Sequence, residues 1–206
     1  IQSSHFYAGR IPDEPLDFLR VMHEHFPEQI AVLRSEDNGE SWREVGRTSG
    51  PFLTRLEHPC SISEDLDGSL LMLIDGYAVP AADETRWVNA LLCSTDRGAT
   101  WQTRSIFGHS EYDMEEGHLV RLPDGRLGTC SRPWSLWTTS ADDGLTWSDP
   151  RPLLALETPE VRPHPNGCKK GDLLVTSDGT TVLMTCGAPG GNGQVLYSRD
   201  SGETWI

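Results

Sequence analysis

Glu116 and Arg132 stand eight residues before and eight residues after the aspartate of one Asp-Gly pair, Asp124-Gly125. The segment reads Glu115-Glu116-Gly117-His118-Leu119-Val120-Arg121-Leu122-Pro123-Asp124-Gly125-Arg126-Leu127-Gly128-Thr129-Cys130-Ser131-Arg132. An Asp-Gly pair between apolar runs predicts a β-hairpin, here with a carboxylate at one open end and a guanidinium at the other. A guanidinium matches a carboxylate through two parallel hydrogen bonds. Arg132 could therefore grip an anionic ligand, or it could pair with Glu116 or with a neighbouring aspartate as structural glue. The same count of eight from Asp67-Gly68 lands on Pro59, beside His58, and on Asp75; from Asp178-Gly179 it lands on Lys170 and Cys186. His58, Asp75, Asp113, Glu116, Arg132 and Lys170 are the candidate site residues, with Asp113 ranked behind Glu116 and Arg132, as is Glu115. Lys169-Lys170 is either a cationic lip for an anionic substrate or an exposed pair.

The elements that must position these residues are set by a repeat. One octapeptide occurs four times: SEDNGESW at 35–42, STDRGATW at 94–101, SADDGLTW at 140–147 and SRDSGETW at 198–205. The starts are 59, 46 and 58 residues apart, the length of a four-stranded propeller blade with variable loops. Within each copy the aspartate can accept backbone N–H bonds, the glycine permits a conformation closed to other residues, and the tryptophan can pack on the sheet. Each follows a strand-like run, such as Ile30–Leu33, Asn89–Leu92 or Gln194–Tyr197. With the Asp-Gly hairpin earlier in three of the repeats, this makes two hairpins, hence four strands, per repeat.

The octapeptides resemble the Asp boxes, or bacterial neuraminidase repeats, of the sialidase superfamily, and the resemblance covers essentially the whole chain. It implies an all-β fold, a sialidase-like β-propeller of four-stranded antiparallel blades, six-bladed in the intact protein with about four blades here. Residues 1–206 then form a single propeller domain, incomplete at one or both ends; a closed four-bladed ring is the alternative. In the family the boxes lie on the outer rim, so Asp37, Asp96, Asp142 and Asp200 take structural roles. The segment 115–132 looks like the family hairpin in which a Glu opens an inner strand and an Arg closes the returning one. The resemblance makes Glu116 the base that activates a tyrosine nucleophile and Arg132 one of three arginines that hold a substrate carboxylate. A phenol, with a pKa of about 10, is a poor nucleophile until a carboxylate shares its proton. Departures from the pattern are plain: residues 186–194 offer no basic residue, and Arg10-Ile11-Pro12 lies only 25 residues before the first octapeptide. Tyr77, Tyr112 and Tyr197 do not match the nucleophile's motif.

Seventeen basic against thirty-one acidic side chains give a net charge of −14, which sets nucleic acid aside as a partner. No apolar run is long enough for a membrane-spanning helix, and residues 1–30 hold no signal segment. The five cysteines (Cys60, Cys93, Cys130, Cys168, Cys186) have no metal-ligand spacing and read as buried free thiols. His5 and His23-Glu24-His25 lack a third placed ligand, so no metal is expected, and no cofactor. Trp134 and Trp137 could stack on a sugar, with packing in the blade preferred, and Gly190-Gly191-Asn192-Gly193 is a turn. The expected function is a sialidase-like glycoside hydrolase acting on a terminal, acidic sugar of a glycan. The alternatives are a non-catalytic propeller binding protein or glycan, and another glycosidase or polysaccharide lyase on the same fold. The compartment stays open, with a lean toward a secreted or periplasmic setting.

Overall fold

Each Asp-Gly pair closes the turn expected of it. The Gly68, Gly125 and Gly179 amides donate to the carbonyls of Asp65, Leu122 and Thr176 at 2.9, 2.9 and 2.8 Å. Their φ angles are +82°, +89° and +70°, with open space where a Cβ would stand, so conformation alone demands glycine there. The computed structural model describes residues 29–49, 55–81, 84–110, 112–132, 135–153, 171–187 and 193–206. Lys169, Lys170, Cys168, Trp134, the histidines before residue 29 and Arg10–Pro12 lie outside the described residues, as does the side chain of Tyr77.

The turns join β3 (Arg55–Glu64) to β4 (Leu70–Ala81), β7 (Glu115–Arg121) to β8 (Leu127–Arg132) and β11 (Leu173–Val175) to β12 (Val182–Gly187). Next come the third strands β5 (Glu84–Ser94), β9 (Leu136–Ser140) and β13 (Gly193–Ser198) and the fourth strands β6 (Gln102–Phe107) and β10 (Arg151–Pro152). The hairpin β1 (Ile30–Arg34) and β2 (Arg43–Thr48) forms a sheet ahead of them. All pairings are antiparallel, in two four-stranded meanders, β3-β4-β5-β6 and β7-β8-β9-β10, one three-stranded sheet and one two-stranded sheet. This is the all-β architecture of four-stranded antiparallel propeller blades.

The core lies between blades rather than within one. Met72, Ile74, Ala90 and Leu92 face Ile30 and Val32 of the preceding sheet, while Leu71, Leu73 and Leu91 face Leu119 and Leu127 of the following one. A third layer joins Leu122, Cys130 and Trp137 to Leu173, Val182, Met184 and Trp205. Strand β4 therefore buries both faces, which explains its continuous apolar run Leu70–Ile74. Cys130 and Cys186 are buried, whereas Cys60 and Cys93 are half-buried.

The octapeptides form the turns between β1 and β2, β5 and β6, and β9 and β10, and the turn after β13. In the third copy, Asp142 Oδ1 accepts the Thr146 amide at 2.9 Å and Oδ2 the Thr146 hydroxyl at 2.6 Å, while Ser140 Oγ donates to Oδ1 and accepts the Gly144 amide. The same bonds recur around Asp37, Asp96 and Asp200, and the Ser41, Thr100, Thr146 and Thr204 hydroxyls lead in pulling all four carboxyls down to about 2. The octapeptides also clasp neighbouring blades. Gly98, Gly144 and Gly202 press on Val32, Leu91 and Trp137 of the preceding blade, and Arg34, Arg104 and Arg151 of that blade donate to carbonyls of the turn. Trp205 is buried and Trp101 and Trp147 partly so, but Trp42 is 59% exposed, so the packing expected of the tryptophans fails at the first copy. No blade precedes Trp42 among the described residues.

Candidate functional site at the open ends of the inner strands

Opposite the Asp-Gly turns, the open ends of β3–β4 and β7–β8 come together, because β7 packs beside β3 and β4. Five of the six candidate residues, His58, Asp75, Asp113, Glu116 and Arg132, stand in this mouth; Lys170 lies outside the described residues. Asp113 and Met114 dock on the preceding blade, where Asp113 Oδ1 accepts the Trp87 amide at 3.1 Å and the Met114 amide donates to the Trp87 carbonyl at 3.0 Å.

The count of eight that selected these residues is off by one in both blades, for the same reason. The register slips between Pro59 and Ser61 in one hairpin and between Glu115 and His118 in the other. These bulges set His58 opposite Asp75, and Glu115 rather than Glu116 opposite Arg132. At the second bulge Glu116 adopts φ +47°, a left-handed conformation rare for a non-glycine residue. Gly117 follows in a space that admits no side chain: a Cβ there would lie 2.7 Å from Ser131 Oγ and 2.9 Å from Leu73 Cδ2.

Two carboxylates meet the guanidinium of Arg132. Its Nη2 donates to Glu115 Oε2 at 2.5 Å, and its Nε lies 3.2 Å from Glu116 Oε2 without hydrogen-bond alignment, so that this second contact is an ion pair only. All three side chains are largely covered, at 16%, 15% and 28% exposure for Glu115, Glu116 and Arg132. Burial pushes the Glu115 carboxyl above its ordinary value; Arg132 pulls it down, and Asp113, Asp75 and Glu116 add to the upward push. Sequence analysis ranked Glu115 behind Glu116. The strand register makes it the main partner of Arg132, and only the bulge, invisible in the residue types, reveals this.

Asp75 is fully buried. Its Oδ1 accepts the His58 amide at 3.0 Å and lies 3.2 Å from His58 Nδ1, and its Oδ2 accepts the amide of Glu116 in a short bond. The His58 ring stacks near Trp87, with centroids 6.2 Å apart and planes 15° from parallel. Below lies Asn89, also fully buried, whose Nδ2 donates to Ser131 Oγ at 2.9 Å and whose Oδ1 has no hydrogen-bond partner. Sequence analysis singled out neither Trp87 nor Asn89; their one signal was Asn89's place as a polar residue in the apolar third strand. Trp137 packs edge-on against Trp205 at 5.1 Å, the packing role preferred for it over sugar stacking. Tyr112 stacks on His109, and Arg199 lies over Tyr197, so neither tyrosine joins the carboxylates. No group of three metal-ligating side chains occurs among the described residues, and no helix among them is long and apolar enough to cross a membrane.

A half-buried guanidinium between two carboxylates, one of them with a raised pKa, is an arrangement that can hold an anionic group and move a proton. Comparison with known proteins places it in context. Residues 19–206 match the family model described as a BNR repeat-like domain. A sialidase of Paraclostridium sordellii is 25% identical, with the similarity covering 68% of this chain and 43% of that protein. A Dyadobacter fermentans protein of unknown function shares the fold with a TM-score of 0.62 at 19% identity, over 83% of this chain and 48% of that one. A Penicillium chrysogenum α-L-arabinanase, solved with arabinobiose, does so with a TM-score of 0.50 at 18% identity, over 70% and 46%. The chain thus spans less than half the length of these relatives.

Proposed function

The chain belongs to the BNR repeat-like domain family, and from that premise we propose that it carries part of the substrate site of a sialidase-like glycoside hydrolase. The substrate is a terminal, acidic sugar of a glycan. The observation that carries this reading is the ion cluster of Arg132 with Glu115 and Glu116 at the bulged start of β7, with Glu116 in a left-handed conformation. Non-glycine residues held in such conformations cluster at functional sites, where the surrounding structure over-determines them. Glu116 takes the proton of a tyrosine nucleophile supplied by a further blade, the phenolate oxygen attacks the anomeric carbon, and the glycosidic C–O bond breaks with the leaving oxygen protonated by solvent. Water then hydrolyses the glycosyl–tyrosine bond, and the phenol regains its proton from Glu116. Arg132 grips the sugar's carboxylate, and His58, Asp75 and Asp113 line the mouth around it. Lys170, outside the described residues, belongs to this reading as a cationic lip.

One observation favours a second reading. Arg132 already faces two carboxylates, and Asp75 and Asp113 stand nearby, so among the described residues acidic groups outnumber basic ones in the mouth. That balance suits a neutral sugar, with the raised carboxyl of Glu115 as proton donor, and the arabinanase whose fold this chain shares was solved with arabinobiose, a neutral sugar.

The test is hydrolysis of a fluorogenic α-sialoside by the intact protein, wild type beside Glu116→Gln and Arg132→Ala. The expected result is a loss of kcat/KM on the order of 10²–10⁴-fold in Glu116→Gln, with a comparable loss in Arg132→Ala. No turnover by folded wild-type protein, with turnover of a fluorogenic α-L-arabinoside, would replace the first reading with the second.

A further inference from the structure

The geometry points to Asp75 as a positioning residue that joins His58 and Glu116 into one unit across two blades, an inference that rests on the mouth being a glycosidase site. Asp75 sits on β4, the strand buried on both faces, and its carboxylate is fully buried without a lysine or arginine bonded to it among the described residues. A buried carboxylate must be satisfied by hydrogen bonds. Asp75 meets that need with the amide and ring nitrogen of His58 on one oxygen and the amide of Glu116 on the other.

Each bond does something beyond joining blades. The bond to Glu116 holds the residue at φ +47°, a conformation rare for a non-glycine residue and kept only where the surroundings support it. In that conformation the side chain reaches Arg132. The bond to His58 Nδ1 selects the tautomer with its proton on Nδ1, leaving Nε2 as the nitrogen that gains and loses a proton. Structural glue would need only the two amides; it has no use for the ring. Among the described residues, His58 meets Asp75 on β4 and Cys60 on its own strand, and through Asp75 it is linked to Glu116 and Glu115 on β7, to Asp113 ahead of β7 and to Arg132 on β8. Glu116 and His58 thus share one support in Asp75, and a change there acts on both.

The experiment uses the intact protein with ¹⁵N-labelled histidine. Long-range ¹H–¹⁵N spectra read the His58 tautomer and titration in the wild type and in Asp75→Asn, and turnover of the α-sialoside is measured in parallel. The expected results are an Nδ1–H tautomer in the wild type and a lower titration midpoint in Asp75→Asn, since an opposite charge is lost. Turnover should fall in kcat more than in KM, on the order of 100-fold as for a misplaced reacting group. The double variant His58→Gln/Asp75→Asn should lose no more than Asp75→Asn alone. Asp65→Asn is the control, since Asp65 is also buried but bonds Arg121 at the turn end of the same blade; it should lower Tm and leave the His58 signals in place. An Nε2–H tautomer in the wild type, or unchanged His58 signals in folded Asp75→Asn, would overturn the inference. So would wild-type turnover in His58→Gln, a variant that keeps both amide bonds and serves if Asp75→Asn does not fold. Absence of α-sialoside turnover in the wild type strikes the sialidase reading instead, and the spectra still decide the role of Asp75.

Discussion

Gly202→Ala and Gly125→Ala impose the same backbone penalty and differ only in the space around the new methyl group. The two glycines have φ of +87° and +89°, and a Cβ at such an angle costs roughly 1–2 kcal/mol in either place. At Gly125 nothing lies within 4 Å of that Cβ. At Gly202 it would stand 2.3, 2.8 and 3.1 Å from three atoms of the Trp137 ring. That ring is 2% exposed and is held edge-on by Trp205, so it cannot retreat as a flexible side chain would. Overpacking of this kind adds about 1–3 kcal/mol. Gly202→Ala should therefore lose about 2–5 kcal/mol and Gly125→Ala about 1–2 kcal/mol. Urea unfolding followed by tryptophan fluorescence reads the difference as a shift of midpoint at constant slope. Equal losses in the two variants would refute the claim that the octapeptide glycines are fixed by packing between blades, and would leave only the turn conformation as their reason.

Two pH dependences of opposite sign follow from the carboxyls. Asp37, Asp96, Asp142 and Asp200 sit at about 2 against an ordinary 3.8, so the stability they contribute is complete above 3.8 and is lost as pH falls through 2. Thr146→Val removes the leading cause at Asp142 and should shrink that acid-side loss in Tm measured between pH 5 and 2. Glu115 is raised above 4.5, so its contribution is complete below 4.5 and is lost as pH rises through the folded value. Tm measured from pH 4 upward should fall less steeply in Glu115→Gln than in the wild type.

The blades were legible because their signals are local. In each octapeptide the serine, aspartate and glycine bond within four residues of one another, so residue types at fixed offsets report the turn directly. The Asp-Gly hairpins are as local, and His58, Asp75, Glu116 and Arg132 could be picked out by counting from them. The finer geometry of the mouth was not legible in this way. Bulges near Pro59 and Glu116 insert one residue on the way from turn to mouth, and they exchange Glu115 for Glu116 as the strand neighbour of Arg132. Nothing in the types Glu115-Glu116-Gly117 distinguishes a bulge from a regular strand, since glycine at 117 is demanded by Ser131, Leu73 and Asn89 from other strands. Contacts across blades were equally hidden, such as the Trp147 indole reaching Ser105 at 3.0 Å where the other three octapeptide tryptophans donate to their own glycine carbonyl.

The same bulge ties the fold to the chemistry. A regular β7 would keep the Glu116 amide in ladder pairing with β8; the slip frees that N–H to reach Asp75 in the neighbouring blade. The polar mouth is therefore assembled between blades, from an amide released by one and a buried carboxylate supplied by the other. A change that shifts one blade against the next, including those at the octapeptide glycines on the far rim, therefore reaches the Glu116–Arg132 pair through the Glu116–Asp75 bond among others.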